Sequence, residues 1–203
     1  MKNLRLFCVL VSIALSVFII PPHSNAQGVA YQTKIFGVNN PELKKTLQAS
    51  SSLFQLKDSP PLSLTGLIRR IQNDEERFQQ VLQSFGYFSG TVKIRVSGKP
   101  IQSLRSLVLR KTKSFPVAIK ITTGPLFKCG RIKIRGFEKI KSKPVVSNIK
   151  TGDPALGSEI LKTESDLIAQ LKVKGYAYAS LGERRLELDR KKQVMDVYLV
   201  AIP

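Results

Sequence analysis

Twice in this chain a helical pattern runs into Gly-Tyr and gives way to strand alternation. In VLQSFGYFSGTVKIRV, residues 81–96, Val81, Leu82 and Phe85 share a helical face, and Gly86 follows. From Thr91 the apolar Val92, Ile94 and Val96 alternate with Thr91, Lys93 and Arg95. The junction returns in LKVKGYAY, residues 171–178, before a charged alternating run through Leu186 and Leu188. Glycine closes a helix in the left-handed conformation without steric cost. Alternation with period two then marks a half-buried strand. A chain that makes this change twice is built from a repeated unit, with amphipathic helices laid on one face of a small sheet.

The elements on either side support that reading. Tyr31 to Val38 reads as a short strand. Asn40 then offers an N-cap and Pro41 a first helical residue. Leu43, Leu47, Leu53 and Phe54 follow on one face. Lys57 to Pro61 is a breaker. A second helix capped by Ser63 carries Leu67, Ile68, Ile71, Phe78, Val81, Leu82 and Phe85 up to Gly86. Strands over Thr91–Ser97 and from Phe115 to Ile121 come next, joined by a basic connection from Gly98 to Lys113. That connection reads as a linker over its own unit or as a membrane-touching segment.

The order then restarts. Lys133-Ile134-Arg135-Gly136-Phe137 echoes Lys34-Ile35-Phe36-Gly37-Val38. A short helix over Ser142–Ile149 and a longer one capped by Ser158 lead to Gly175-Tyr176. A hairpin follows, with strands near Ala179–Asp189 and Gln193–Ala201 turning at Arg190-Lys191-Lys192. The expected class is therefore α+β: two tandem β-α-α-β-β modules, each a three-stranded sheet with two helices on one face. The segments are 27–126 and 127–203. The first carries extra residues in the Leu53–Pro61 connection.

Residues 1–26 are read as a leader and left out of the fold. Lys2 and Arg5 precede an apolar run from Leu6 to Ile20, and Ser24-Asn25-Ala26 has the small residues of a cleavage site. The run is shorter than the roughly 20 residues that cross a bilayer. Cleavage would remove His23 and Cys8, leaving Cys129 as the only thiol. An intramolecular disulfide and a Cys/His metal cluster are then both excluded. The formal charge of +19 falls to +17 with Lys2 and Arg5 gone. Export argues against a nucleic-acid target. Anionic lipid, lipopolysaccharide or acidic protein segments are the partners such a charge suits.

Little here supports catalysis. Asp74-Glu75-Glu76 is the one tight acidic cluster and reads as a solvated helix face. Cys129 lies among strand residues and reads as a buried, inert thiol. No glycine-rich phosphate loop with lysine is present. No enzyme, cofactor or metal is expected.

The repeat resembles the POTRA (polypeptide-transport-associated) module of the outer-membrane-protein assembly superfamily. The residues that carry the likeness are FGYF at 85–88, KGYA at 174–177, and TGPLFKCGRIKIRG at 123–136, where one module's last strand passes into the next module's first. Within the superfamily the chain is most similar to the N-terminal periplasmic region of the translocation-and-assembly-module (TamA) branch. The resemblance implies a mixed sheet in each module, with Gly86, Tyr87, Gly136, Gly175 and Tyr176 as structural motif residues. It also implies a periplasmic location and, for longer members, further modules and a β-barrel. This chain is then either a portion of such a protein or a free pair of modules.

The resemblance places client binding at the edge formed by each module's second strand. Those edges are Thr91, Val92, Lys93, Ile94, Arg95 and Val96, and Arg184, Arg185, Leu186, Glu187 and Leu188. An unfolded outer-membrane or secreted protein, or an assembly partner, would pair with the exposed backbone there. The alternative is a basic module that binds anionic lipid or lipopolysaccharide.

Overall fold

The computed structural model describes residues 28–103, 114–138, 140, 144–145 and 148–203. The expected leader and most of the basic connection lie outside the described residues. The class is the one expected: α+β, with two mixed sheets and four helices among the described residues.

β1 (Tyr31–Phe36) leads into α1 (Pro41–Ser50). The Asn40 side chain accepts hydrogen bonds from the N–H groups of Glu42 and Leu43 at 2.9 and 3.1 Å, and Pro41 opens the helix. Leu43 and Leu47 are wholly buried. The single helical face expected to reach Phe54 is broken at Ser51, which is extended and caps a separate turn, α2 (Ser52–Gln55). α3 (Leu64–Ser84) starts at Ser63, whose Oγ accepts from Gly66 N–H at 3.1 Å. It buries Leu67, Ile71, Phe78 and Leu82 against the sheet.

That sheet has the order β1-β4-β2-β3, from β2 (Thr91–Val96), β3 (Lys99–Pro100) and β4 (Phe115–Thr122). β4 runs parallel to β1 and antiparallel to β2. Val92, Ile94, Val96, Val117, Ile119 and Ile121 point into the core. Each such side chain contributes about 1.5–3 kcal/mol when fully buried. The fourth strand, β3, was not expected. Ser97 and Gly98 both take positive φ (50° and 78°), the two-residue turn whose twist suits a hairpin. The first residues of the expected connection therefore fold back on β2.

The second half repeats the plan with β5 (Lys128–Arg135), α4 (Gly157–Val173), β6 (Ser180–Leu181), β7 (Arg185–Asp189) and β8 (Val194–Ile202). β8 is central, parallel to β5 and antiparallel to β6 and β7. Phe127, Cys129, Ile160, Leu167, Leu171, Met195, Val197 and Leu199 form its core.

Three local expectations change here. α4 begins at Gly157 after Leu156, with no side-chain cap, so Ser158 lies inside the first turn rather than capping it. The short helix expected over Ser142–Ile149 falls partly outside the described residues, and Pro144, Val145, Asn148 and Ile149 are not helical. The unbroken strand expected over Ala179–Asp189 is interrupted between Leu181 and Arg185. Leu181 faces Ala201 but Arg185 faces Tyr198, one residue out of register. That is a bulge, which bends an edge strand and re-aims its side chains.

The Gly-Tyr junctions are the same helix stop made twice. Gly86 N–H donates to Gln83 O at 2.9 Å and Tyr87 N–H to Leu82 O at 2.8 Å. Gly175 donates to Lys172 O and Tyr176 to Leu171 O at 3.0 and 3.1 Å. This pair of bonds satisfies the last carbonyls of the helix and requires a left-handed residue. The glycines have φ of 83° and 94°. Tyr87 and Tyr176 then pack half-buried on the cores of their own modules, at the seam of helix and sheet.

Candidate functional site

The ladder between β2 and β4 shows which backbone groups of β2 are free. Ser97 N–H donates to Pro116 O at 2.8 Å, just past the end of the strand. In an antiparallel pair the bonded residues alternate. Thr91, Lys93 and Arg95 therefore direct their N–H and C=O groups at β4. Val92, Ile94 and Val96 direct theirs outward. β3 takes up the last of these, pairing Val96 with Lys99 and Arg95 with Pro100. The open edge is thus shorter than the expected Thr91–Val96. Among the described residues, the outward backbone groups of Val92 and Ile94 have no partner strand.

A groove runs between this edge and α3. One stretch, about 600 Å³, is lined by Arg69, Gln72, Glu76, Gln79 and Val92. An adjoining stretch of about 680 Å³ shares Arg69, Gln72 and Glu75 with it and adds Leu64, Ile68 and Ile101. Gln79 Nε2 donates to Gly90 O at 3.1 Å and closes the groove's end. An extended chain laid on β2 would run along a wall of amide and charged side chains. These α3 residues were missed in the sequence. Arg69, Gln72, Glu76 and Gln79 do share one helical face, but a polar face of that spacing looks like any solvated one.

Asp74 corrects the reading of Asp74-Glu75-Glu76 as a solvated cluster. Its carboxylate is fully buried. It accepts from Ser51 Oγ, from Ser52 N–H at 2.8 Å and from Leu53 N–H at 2.9 Å, and pairs with Arg77 at 3.3 Å. It holds the start of α2 onto α3. Glu75 and Glu76 do face the groove.

The second edge is differently dressed. Arg184 sits in the bulge and pairs with the nearly buried Glu164 at 2.9 Å. Arg185 stacks 4.6 Å from the Tyr198 ring and reaches Glu187 at 3.2 Å. Both charges are engaged within the module. Leu186 and Leu188 lie opposite the buried Val197 and Met195, yet each is 40% exposed. Their counterparts Val92 and Ile94 are buried. The second edge therefore presents an apolar strip where the first presents backbone beside a groove walled by Arg69, Gln72, Glu76 and Gln79.

Among the motif glycines, Gly86 lies at the joint between modules. Gly86 O accepts from Phe127 N–H at 3.0 Å, and Phe88 meets Phe127 edge-on, with ring centroids 5.4 Å apart. Phe88 packs on the second core, not the first. Gly136 has φ of 97°, and a Cβ there would fall 1.6 Å from Ala201 O, so only glycine fits against β8.

Cys129 is buried, and burial, with a smaller push from Asp153, raises its thiol above the ordinary range. Among the described residues no group of three His, Cys, Asp or Glu side chains lies close enough to hold a metal. No helix among them is long and apolar enough to cross a membrane.

No family model and no curated protein matches the chain. Solved structures with a similar backbone include POTRA domains. One is POTRA domains 3–5 of BamA from Haemophilus influenzae, at 18% identity and a TM-score of 0.47 over 86% of this chain and 65% of that one. Another is BamA from Haemophilus ducreyi lacking POTRA domains 1–3, at 14% and 0.48 over 86% of this chain and 29% of that one. A third is POTRA domains 1–2 of the periplasmic domain of Omp85 from Anabaena, at 11% and 0.39 over 86% and 94%. The chain spans less than two thirds of the two BamA structures.

Proposed function

We propose that this chain is a periplasmic pair of POTRA modules, of the translocation-and-assembly-module kind, that binds unfolded outer-membrane or secreted proteins, or an assembly partner, by strand addition. The observation that carries this reading is the outward backbone of Val92 and Ile94 beside the α3 groove. Each hydrogen bond made there contributes roughly 0.5–1.5 kcal/mol net. Two residues' worth gives weak binding that is indifferent to client sequence, as handling many clients requires. No catalytic step belongs to this function. The second edge, with Leu186 and Leu188 half-exposed, would hold the apolar side of the same extended client.

Photo-cross-linking from position 72, in the groove, to an unfolded β-barrel protein tests it. Proline is tolerated on an edge strand where its missing N–H faces outward. Val92→Pro or Ile94→Pro should therefore abolish the cross-link while leaving the circular dichroism spectrum unchanged. A cross-link of undiminished yield in both folded variants contradicts strand addition at β2.

A further inference from the structure

The open face of the first sheet, opposite the helices, carries cations that make no ion pair among the described residues. By register, Phe36, Lys120 and Lys93 form one row across β1, β4 and β2, and Lys34, Ala118 and Arg95 form the next. All four cations are exposed, and Phe36 is 52% exposed. β1, β2 and β4 contain no acidic residue. None of the four makes an ion pair among the described residues. Lys93 stands directly opposite Lys120, an arrangement that destabilises a sheet.

The second sheet shows the ordinary solution. There Arg131 is bound by Asp196 at 2.7 Å and Arg185 by Glu187. Lysine is also used to keep sheet edges from pairing. That does not explain Lys120, which lies on the central strand β4.

We propose that this face seats on an anionic lipid surface. The partner must be polyanionic, because four free cations share one plane. It must also take an exposed ring, since Phe36 completes the row of Lys120 and Lys93. Lipid phosphates suit the cations, and the boundary between headgroup and acyl chain suits the ring. An acidic polypeptide paired along the β1 or β2 edge would leave Lys120, on the interior strand β4, unmatched, whereas a flat anionic surface meets all four cations. The inference goes beyond client binding: it uses side chains of β2, whereas strand addition uses its backbone.

The test is sedimentation of residues 27–203, the chain without its expected leader, with vesicles of phosphatidylcholine and phosphatidylglycerol, with phosphatidylcholine alone as the baseline. Lys93→Gln with Lys120→Gln removes two cations that repel each other, so the fold should not lose stability. A basic residue near such a surface is worth roughly fivefold in affinity. The double variant should bind anionic vesicles at least about tenfold more weakly. Lys172→Gln with Lys174→Gln, the same charge change on the exposed end of α4, should bind nearly as the unaltered chain does. Ile94→Pro should also keep vesicle binding, which separates this face from the β2 edge. Equal binding by the Lys93/Lys120 variant, or equal loss in the Lys172/Lys174 variant, overturns the proposal. Polyglutamate bound as tightly as the vesicles overturns it in favour of an acidic protein.

Discussion

Phe127 donates its backbone N–H to Gly86 O at 3.0 Å, so the residue that stops the last helix of the first module is hydrogen-bonded to the chain entering the second. The same loop sends Phe88 across to the second core. One Gly-Tyr-Phe stretch thus ends a helix, seals its own module with Tyr87 and fastens the next.

Comparing the two helix-ending glycines isolates that fastening. Both take left-handed backbone, where an alanine costs roughly 1–2 kcal/mol. A Cβ on Gly175 meets open space, whereas one on Gly86 would lie 3.2 Å from Ala155 O and 3.0 Å from a Leu126 methyl. Gly86→Ala should therefore destabilise the chain more than Gly175→Ala, and should separate the melting of the two halves. Differential scanning calorimetry of both variants reads this. Equal losses with a single transition in each would count against the joint.

Asp74 ties α2 to α3 through a buried carboxylate with four donors. Asp74→Ala strands the Ser51 hydroxyl and two backbone N–H groups, at a cost of about 3 kcal/mol. Asp74→Asn keeps one acceptor and should cost less. Urea unfolding of the two variants checks the order. A loss within about 0.5 kcal/mol for alanine, the range of an ordinary surface change, would mean the carboxylate does not organise this turn.

Hydrogen bonds from Arg131, first from its backbone N–H and then from its side chain, hold Asp196 below its ordinary 3.8. A carboxylate depressed in the folded state adds stability above its unfolded pKa, and that stability is lost as pH falls through the folded value. The second module should therefore lose stability as pH drops below about 4. Asp196→Asn should lower stability near neutral pH and flatten this acid limb. Thermal melts across the acid range show whether the two curves converge. Parallel curves would remove Asp196 from the acid response.

Much of the fold was legible because it rests on local chemistry. Asn40-Pro41, Ser63 and the two Gly-Tyr stops each act within one turn of helix. Strand alternation at Thr91–Val96 follows from one buried face. What stayed hidden depends on contacts distant in sequence. Asp74 looked solvated between Asn73 and Glu75, because its partners are Ser51, Ser52 and Leu53. The bulge before Arg185 is set by the register against β8. The hairpin at Ser97-Gly98 places a non-glycine residue at positive φ, so it carried only half of the usual turn signal. The Glu164 partner of Arg184 could not be read from either segment alone.

Amide hydrogen exchange of the β2 strand, with and without an unfolded β-barrel segment, tests strand addition most directly. Thr91, Lys93 and Arg95 already face β4, so their exchange should not change. Val92 and Ile94 face outward, and their amides should become protected when the client binds. Protection that appears at these two positions and skips their neighbours is the result the account predicts. Client binding that leaves both amides exchanging as before would contradict it.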